Sequence, residues 1–90
     1  MEQIFELDGR EYYNEQEIID AGVHVIYHYC RKVRGRWRAI EHIMIEDAGH
    51  GFYYAKSLVK GRYEPELETL YLMNNSGLWV ELYIADLIKP

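Results

Sequence analysis

From Val23 to Cys30 the side chains alternate with a period of two, and this alternation constrains the fold more than any other feature of the chain. Val23, Val25, Tyr27 and Tyr29 fall on one side, and His24, Ile26, His28 and Cys30 on the other. Successive side chains of a strand point to opposite faces, and β-branched and aromatic residues suit a pleated surface, so the pattern predicts a strand. Leu78, Val80, Leu82 and Ile84 alternate in the same way with Trp79, Glu81 and Tyr83. Arg34-Gly35-Arg36 reads as a hairpin turn, with Trp37 to Glu46 as the returning strand. Trp37, Ile40, Ile43 and Met44 also fit helical spacing, with Gly49 as a stop, but the turn favours the strand. Phe52 to Val59 and Leu67 to Met73, with Leu70 and Leu72 on one face, read as further strands. Asp47 to Gly51 and Lys60 to Glu66 read as loops, the second marked by Gly61 and Pro65, and Asn74-Asn75-Ser76-Gly77 is the clearest turn.

The start of the chain differs. Met1 to Leu7 reads as a short strand carrying Ile4 and Phe5, Asp8-Gly9 as a turn, and Glu11 to Tyr13 as the segment that pairs back. Asn14 has the character of a helix N-cap, and Glu17 completes a capping box. Ile18, Ile19 and Ala21 supply an apolar side, and Gly22 a stop. The connections are too short for parallel crossovers. The expected fold is therefore mainly β, bordering on α+β: a small, strongly bent antiparallel sheet or partly open barrel of five to six strands with one short N-terminal helix. The close of the chain, an apolar strand running into Asp86-Leu87-Ile88, resembles SH3-like barrels. No internal repeat or low-complexity stretch is read, and residues 1–90 are expected to form one globular domain.

At 49% hydrophobic and 28% charged, the composition is that of a folding chain and not of a solvated tail. A core this small would gain from a homodimer. Cys30 is the single cysteine, so no intrachain disulfide can form, which favours a reducing compartment. Neither a signal peptide nor an apolar run of membrane-spanning length is read, so the expected location is cytoplasmic and no membrane partner is expected. No phosphate-binding glycine loop or dinucleotide fingerprint is present, and no cofactor is expected.

Charge is laid out unevenly. The net charge is −5, yet Arg31, Lys32, Arg34, Arg36 and Arg38 supply five of the ten basic side chains within eight positions. On the hairpin reading they form a basic tip on an acidic body. Tyr27, Tyr29 and Trp37 lie close by, so residues 31–38 would offer phosphate contacts and stacking surfaces together. The same arginines could instead pair with the chain's own acids as a solvated rim. Nine tyrosines, with adjacent pairs at 12–13 and 53–54, point to interface use or to a shallow core.

His24, His28 and Cys30 share one strand face on this reading, with His42 and His50 as further candidates for a metal site or a thiol nucleophile, but their spacing matches no common zinc motif. Asp47 and His50, beside Gly49 and Gly51, form an acid–base type of loop that a glycine turn explains better. The expected function is a noncatalytic interaction protein, an inhibitor or adaptor of the kind common among phage and mobile-element products. Arg31, Lys32, Arg34, Arg36, Trp37, Arg38, Tyr27 and Tyr29 are its candidate contact residues, and a protein is its first partner. A nucleic-acid-binding module using the 31–38 ribbon is the second reading. A small metalloprotein or enzyme using His24, His28 and Cys30 is the third.

Overall fold

A computed structural model describes residues 2–89; Met1 of the expected first strand and Pro90 at the expected chain end lie outside them. The chain is mainly helical. A two-stranded antiparallel hairpin, β1 (Phe5–Leu7) and β2 (Arg10–Tyr12), opens it. Six α-helices follow: α1 (Glu15–Ala21), α2 (Val23–Tyr29), α3 (Glu41–Met44), α4 (Ala48–Tyr54), α5 (Pro65–Asn74) and α6 (Leu78–Tyr83). A single 3₁₀ turn, Arg38–Ile40, leads into α3. The molecule is elongated, 45 × 22 × 21 Å.

The opening segment follows the sequence reading closely. Asp8 and Gly9 turn the hairpin, both at positive φ. Asn14 Oδ1 accepts from the Glu17 amide at 2.9 Å, and Gly22 ends α1 at φ 102°. Glu17 reaches back one residue further than a capping box requires, to the Tyr13 amide at 3.0 Å.

The β-rich expectation is overturned from Val23 onward: five predicted strands are helices, and among the described residues the two-stranded hairpin stands in place of any SH3-like barrel. Val25, Ile26 and Tyr29 of α2, with Cys30 just beyond it, form a buried stripe and Tyr27 is buried as well, while His24 and Arg31 are exposed and His28 is half-buried. Spacings of one, three and four residues form a helix face, and the period-two pattern at 23–30 coexists with that stripe. Trp37, Ile40 and Met44 are buried at helical spacing, as the alternative reading had it. Gly49, however, lies inside α4 and stops nothing. Around α5, Leu67, Glu68, Tyr71 and Leu72 turn inward while Leu70 is exposed. Pro65, taken as a loop marker, begins this helix, where its missing N–H costs nothing. The basic hairpin at 31–38 is overturned as well. Cys30–Arg34 continues α2 as a wide turn closed by Gly35 N–H to Cys30 O at 2.7 Å, and Gly35 reverses the chain at φ 86°.

The helices reveal a repeat that the linear reading missed. The dipeptides Gly9-Arg10, Gly35-Arg36 and Gly61-Arg62 recur every 26 residues. After each comes a short first helix (α1, α3, α5) and a second helix (α2, α4, α6). Each second helix ends in a five-residue wide turn whose closing N–H reaches five residues back: Gly35 to Cys30, Lys60 to Ala55 at 2.7 Å, and Lys89 to Ile84 at 2.8 Å. The last residue before each wide turn is a buried tyrosine: Tyr29, Tyr54 and Tyr83. Three helix pairs are thus laid side by side, and each buries its apolar side against its neighbours, as stacked repeats do.

Contacts between units are specific. Tyr71 Oη donates to Ala48 O at 2.6 Å, and Asn75 Nδ2 to Ile45 O at 2.8 Å, so the third unit caps backbone carbonyls of the second. Gly51 is required at this junction: a Cβ there would stand 2.7 Å from the Tyr71 ring and 2.9 Å from Met44 O. At the opposite end the β1–β2 hairpin lays Phe5 edge-on to Tyr29, 5.5 Å between ring centroids, and covers the first unit.

Candidate functional site

Three of the five clustered cations are committed to the chain's own acids. Arg36 clasps Glu41 with Nε to Oε2 at 2.8 Å and Nη2 to Oε1 at 3.1 Å. Tyr54 Oη donates to Glu41 Oε2 at 3.0 Å and accepts from the Trp37 amide at 2.8 Å. Glu41 is 1% exposed, so this clamp joins the unit's entry segment, first helix and second helix around one buried carboxylate. The third unit repeats it: Arg62 clasps Glu68, Tyr83 Oη donates to Glu68 at 2.8 Å and accepts from the Tyr63 amide at 2.9 Å. The Arg62 guanidinium beside Glu68 is the largest influence holding that carboxyl below its ordinary value. The first unit has a reduced version, in which Arg34 Nε and Tyr29 Oη both donate to Glu15, at 2.8 and 2.9 Å. Arg34 also stacks on Trp37, 4.5 Å from the ring centroid, and Arg38 pairs with Glu64.

The expected contact residues are therefore dispersed. Trp37, Tyr27 and Tyr29 are buried, and burial pushes the Tyr29 hydroxyl up to about 12. Arg34, Arg36 and Arg38 hold acids. Arg31 and Lys32 remain: both are exposed, and neither forms an ion pair among the described residues. Arg31 Nη1 donates to Tyr27 Oη at 3.2 Å.

His24 and His28, one turn apart on α2, stand together as the strand reading also had it, with ring centroids 4.6 Å apart. Cys30 is separated from them. It points into the core, fully buried, and burial is the main reason its thiol is pushed up to about 12, far from a reactive thiolate. His50 takes its place. Its Nε2 lies 3.4 Å from His24 Nδ1, and its Nδ1 lies 3.1 Å from Asp47 Oδ1. Asp47 also caps α4 by accepting from the His50 amide at 2.8 Å, so one carboxylate both starts the helix and aims the ring. Burial alone would raise the Asp47 carboxyl; the amide and ring of His50 outweigh it and hold the group below its ordinary value. Among the described residues no three His, Cys, Asp or Glu side chains are grouped so as to hold a metal ion.

Two adjoining clefts run across this side. The first, about 270 Å³, lies between α2 and α4 and is lined by His24, Tyr27, His28, Arg31, His50 and Tyr53. The second, about 450 Å³, lies between α4 and α6 and shares His50 and Tyr53 with the first, adding Asp47 and Trp79. Tyr53 and Trp79 approach to 5.2 Å between ring centroids. His28 is lowered from its ordinary value, first by burial and then by Coulombic repulsion from the side chains of His24, Lys32, His50 and Arg31.

The sequence reading missed Tyr53 and Trp79, and it placed His50 and Asp47 in a loop. A signal was present. His24 and His50 are 26 residues apart, the same interval as the Gly-Arg dipeptides, and both lie in the first turn of neighbouring second helices, one position out of register against Tyr29 and Tyr54. No helix among the described residues is long and apolar enough to cross a membrane. No protein-family model, no curated protein and no solved structure matches this chain.

Proposed function

We propose that the chain is a noncatalytic interaction protein that binds an acidic protein partner along the side formed by α2, α4 and α6. The observation that carries this reading is the fate of the cations. Arg34, Arg36, Arg38, Lys56 and Arg62 each sit on an acid of the chain itself. Among the described residues Arg31 and Lys32 do not; Arg31 borders a cleft with three histidines and an exposed tyrosine, and Lys32 lies close enough to act on the charge of His28. Arginine and aromatic side chains are enriched in interfaces, and stacked helical repeats bind along extended faces.

The nucleic-acid reading stays as an alternative, because Arg31 beside the rings of Tyr53 and Trp79 would also suit a phosphate chain with stacked bases. It has lost the contiguous basic ribbon it started from. One titration separates the two. The protein is added to a labelled polyglutamate peptide and to single- and double-stranded oligonucleotides over a range of salt. The proposal expects the acidic polypeptide to bind and Arg31→Glu/Lys32→Glu to abolish it. Unchanged binding by that folded variant would overturn the assignment. Preferential oligonucleotide binding, falling steeply with salt, would select the alternative.

A further inference from the structure

We propose that the α2–α4 cleft is an oxyanion site: it seats a tetrahedral phosphate-type dianion between His24, His28, His50 and Arg31, and takes up protons as it does so. This rests on the reading of the α2–α4–α6 side as a binding face and names the chemical group recognised there. Four nitrogen-bearing side chains reach the cleft, His24 and His28 from α2, Arg31 from the wide turn that continues it and His50 from α4, and the Tyr27 hydroxyl, which accepts from Arg31, adds a polar group on its wall. Donors that arrive from several directions match a tetrahedral oxyanion; a planar carboxylate is satisfied by a single arginine fork. The volume of about 270 Å³ suits one ligand group and is small for a whole drug-sized ligand. The walls at Tyr27 and Tyr53 are aromatic.

Protonation follows from the same geometry. His24 Nδ1 and His50 Nε2 face each other at 3.4 Å, so positive charge on both rings would repel at this distance. The other charged and titratable groups facing the histidines are Tyr27 on α2, Arg31 and Lys32 on the wide turn that continues it, and Asp47 and Tyr53 beside and on α4. Asp47 is the one acid among them, and it is engaged at His50 Nδ1. An anion in the cleft supplies the counter-charge that lets further histidines ionise, so binding and proton uptake are linked.

Sulfate is the probe, because its charge is constant through the range in which histidine titrates; inorganic phosphate and phenyl phosphate follow it. Histidine ring resonances are observed by NMR at pH 5.5 and 7.5. The expected result is that sulfate moves the His24, His28 and His50 signals. Its affinity should be about fivefold tighter at pH 5.5 than at pH 7.5, as one pKa unit gained by a single histidine gives over that range, and Arg31→Gln should weaken it about tenfold. Tighter binding of phenyl phosphate than of inorganic phosphate would place the aromatic walls in the site. Histidine signals unmoved by all three anions, or affinity for sulfate independent of pH, would overturn the inference. If that happens while Arg31→Glu/Lys32→Glu still abolishes acidic-peptide binding, the face stands and the oxyanion site falls.

Discussion

The buried clamp around Glu41 and the open cluster around His50 use similar groups to opposite ends. In the clamp one carboxylate meets a forked guanidinium and a tyrosine hydroxyl that is itself held by a backbone amide. Every partner is engaged, and the carboxylate is 1% exposed. In the cluster, Asp47 is about two-fifths exposed, the His24–His50 contact is long at 3.4 Å, and Arg31 and Lys32 have no acid. A charge enclosed with complete partners serves the fold, because removing one partner strands the others. Charges left open beside a cleft serve whatever enters it. Two arginines two positions apart, Arg34 and Arg36, have gone to clamps, while Arg31 has not, and only that difference separates structural from available cations.

The sharpest way to break this contrast is Glu41→Ala. It leaves the buried Tyr54 hydroxyl without its acceptor and the half-buried Arg36 without its acid, and about 3–5 kcal/mol of stability should be lost, measured by urea unfolding. Glu68→Ala should cost about 1–3 kcal/mol, less than the Glu41 change, because Arg62 is 53% exposed and can turn to water. A larger loss at Glu68 than at Glu41 would show that exposure does not rank the clamps. Gly51→Ala tests the packing between units: its Cβ meets the Tyr71 ring and the rigid carbonyl of Met44, and overpacking of this kind should cost about 1–3 kcal/mol. Asn14→Ala should cost about 1 kcal/mol through loss of the cap.

Between pH 7 and 5 the cluster should respond to pH while the clamps hold, because the Glu68 carboxyl is kept below its ordinary value. His28 has a lowered folded-state pKa, from an ordinary 6.5, so the unfolded chain binds more protons than the folded one. Stability is therefore held above that value and is lost as pH falls below it. At neutral pH, His28→Gln should change stability by less than about 0.5 kcal/mol, and it should flatten the decline between pH 7 and 5. An equal decline in wild type and variant, followed by thermal unfolding, would remove His28 from the account.

Much of the first 22 residues was legible because their signals are local. The Asp8-Gly9 turn, the Asn14 cap and the Gly22 stop each act within a few residues, and each is where the sequence placed it. The helices beyond were not, because a stripe such as Val25, Ile26, Tyr29 and Cys30 sits inside a segment that also alternates, and β-branched propensity pulled the reading towards strand. Packing between units decides such a segment. Arg31, Tyr27 and the His24–His28 pair were visible as candidates; their assembly with His50 was not, since that needs two helices one repeat apart.

By itself the sequence determined the start of the chain, the supply of charge and the 26-residue recurrence of Gly-Arg, which sets where each helix pair begins. It also put five cations close together. Which of them would be consumed, and which would border a cleft, only the tertiary structure decided. The reason is that an ion pair depends on distance in space: Glu15 reaches Arg34 once α1 packs beside α2, Glu41 reaches Arg36 across the turn that enters α3, and Arg31 is left to line a cleft with His24, His28 and the neighbouring helix's His50.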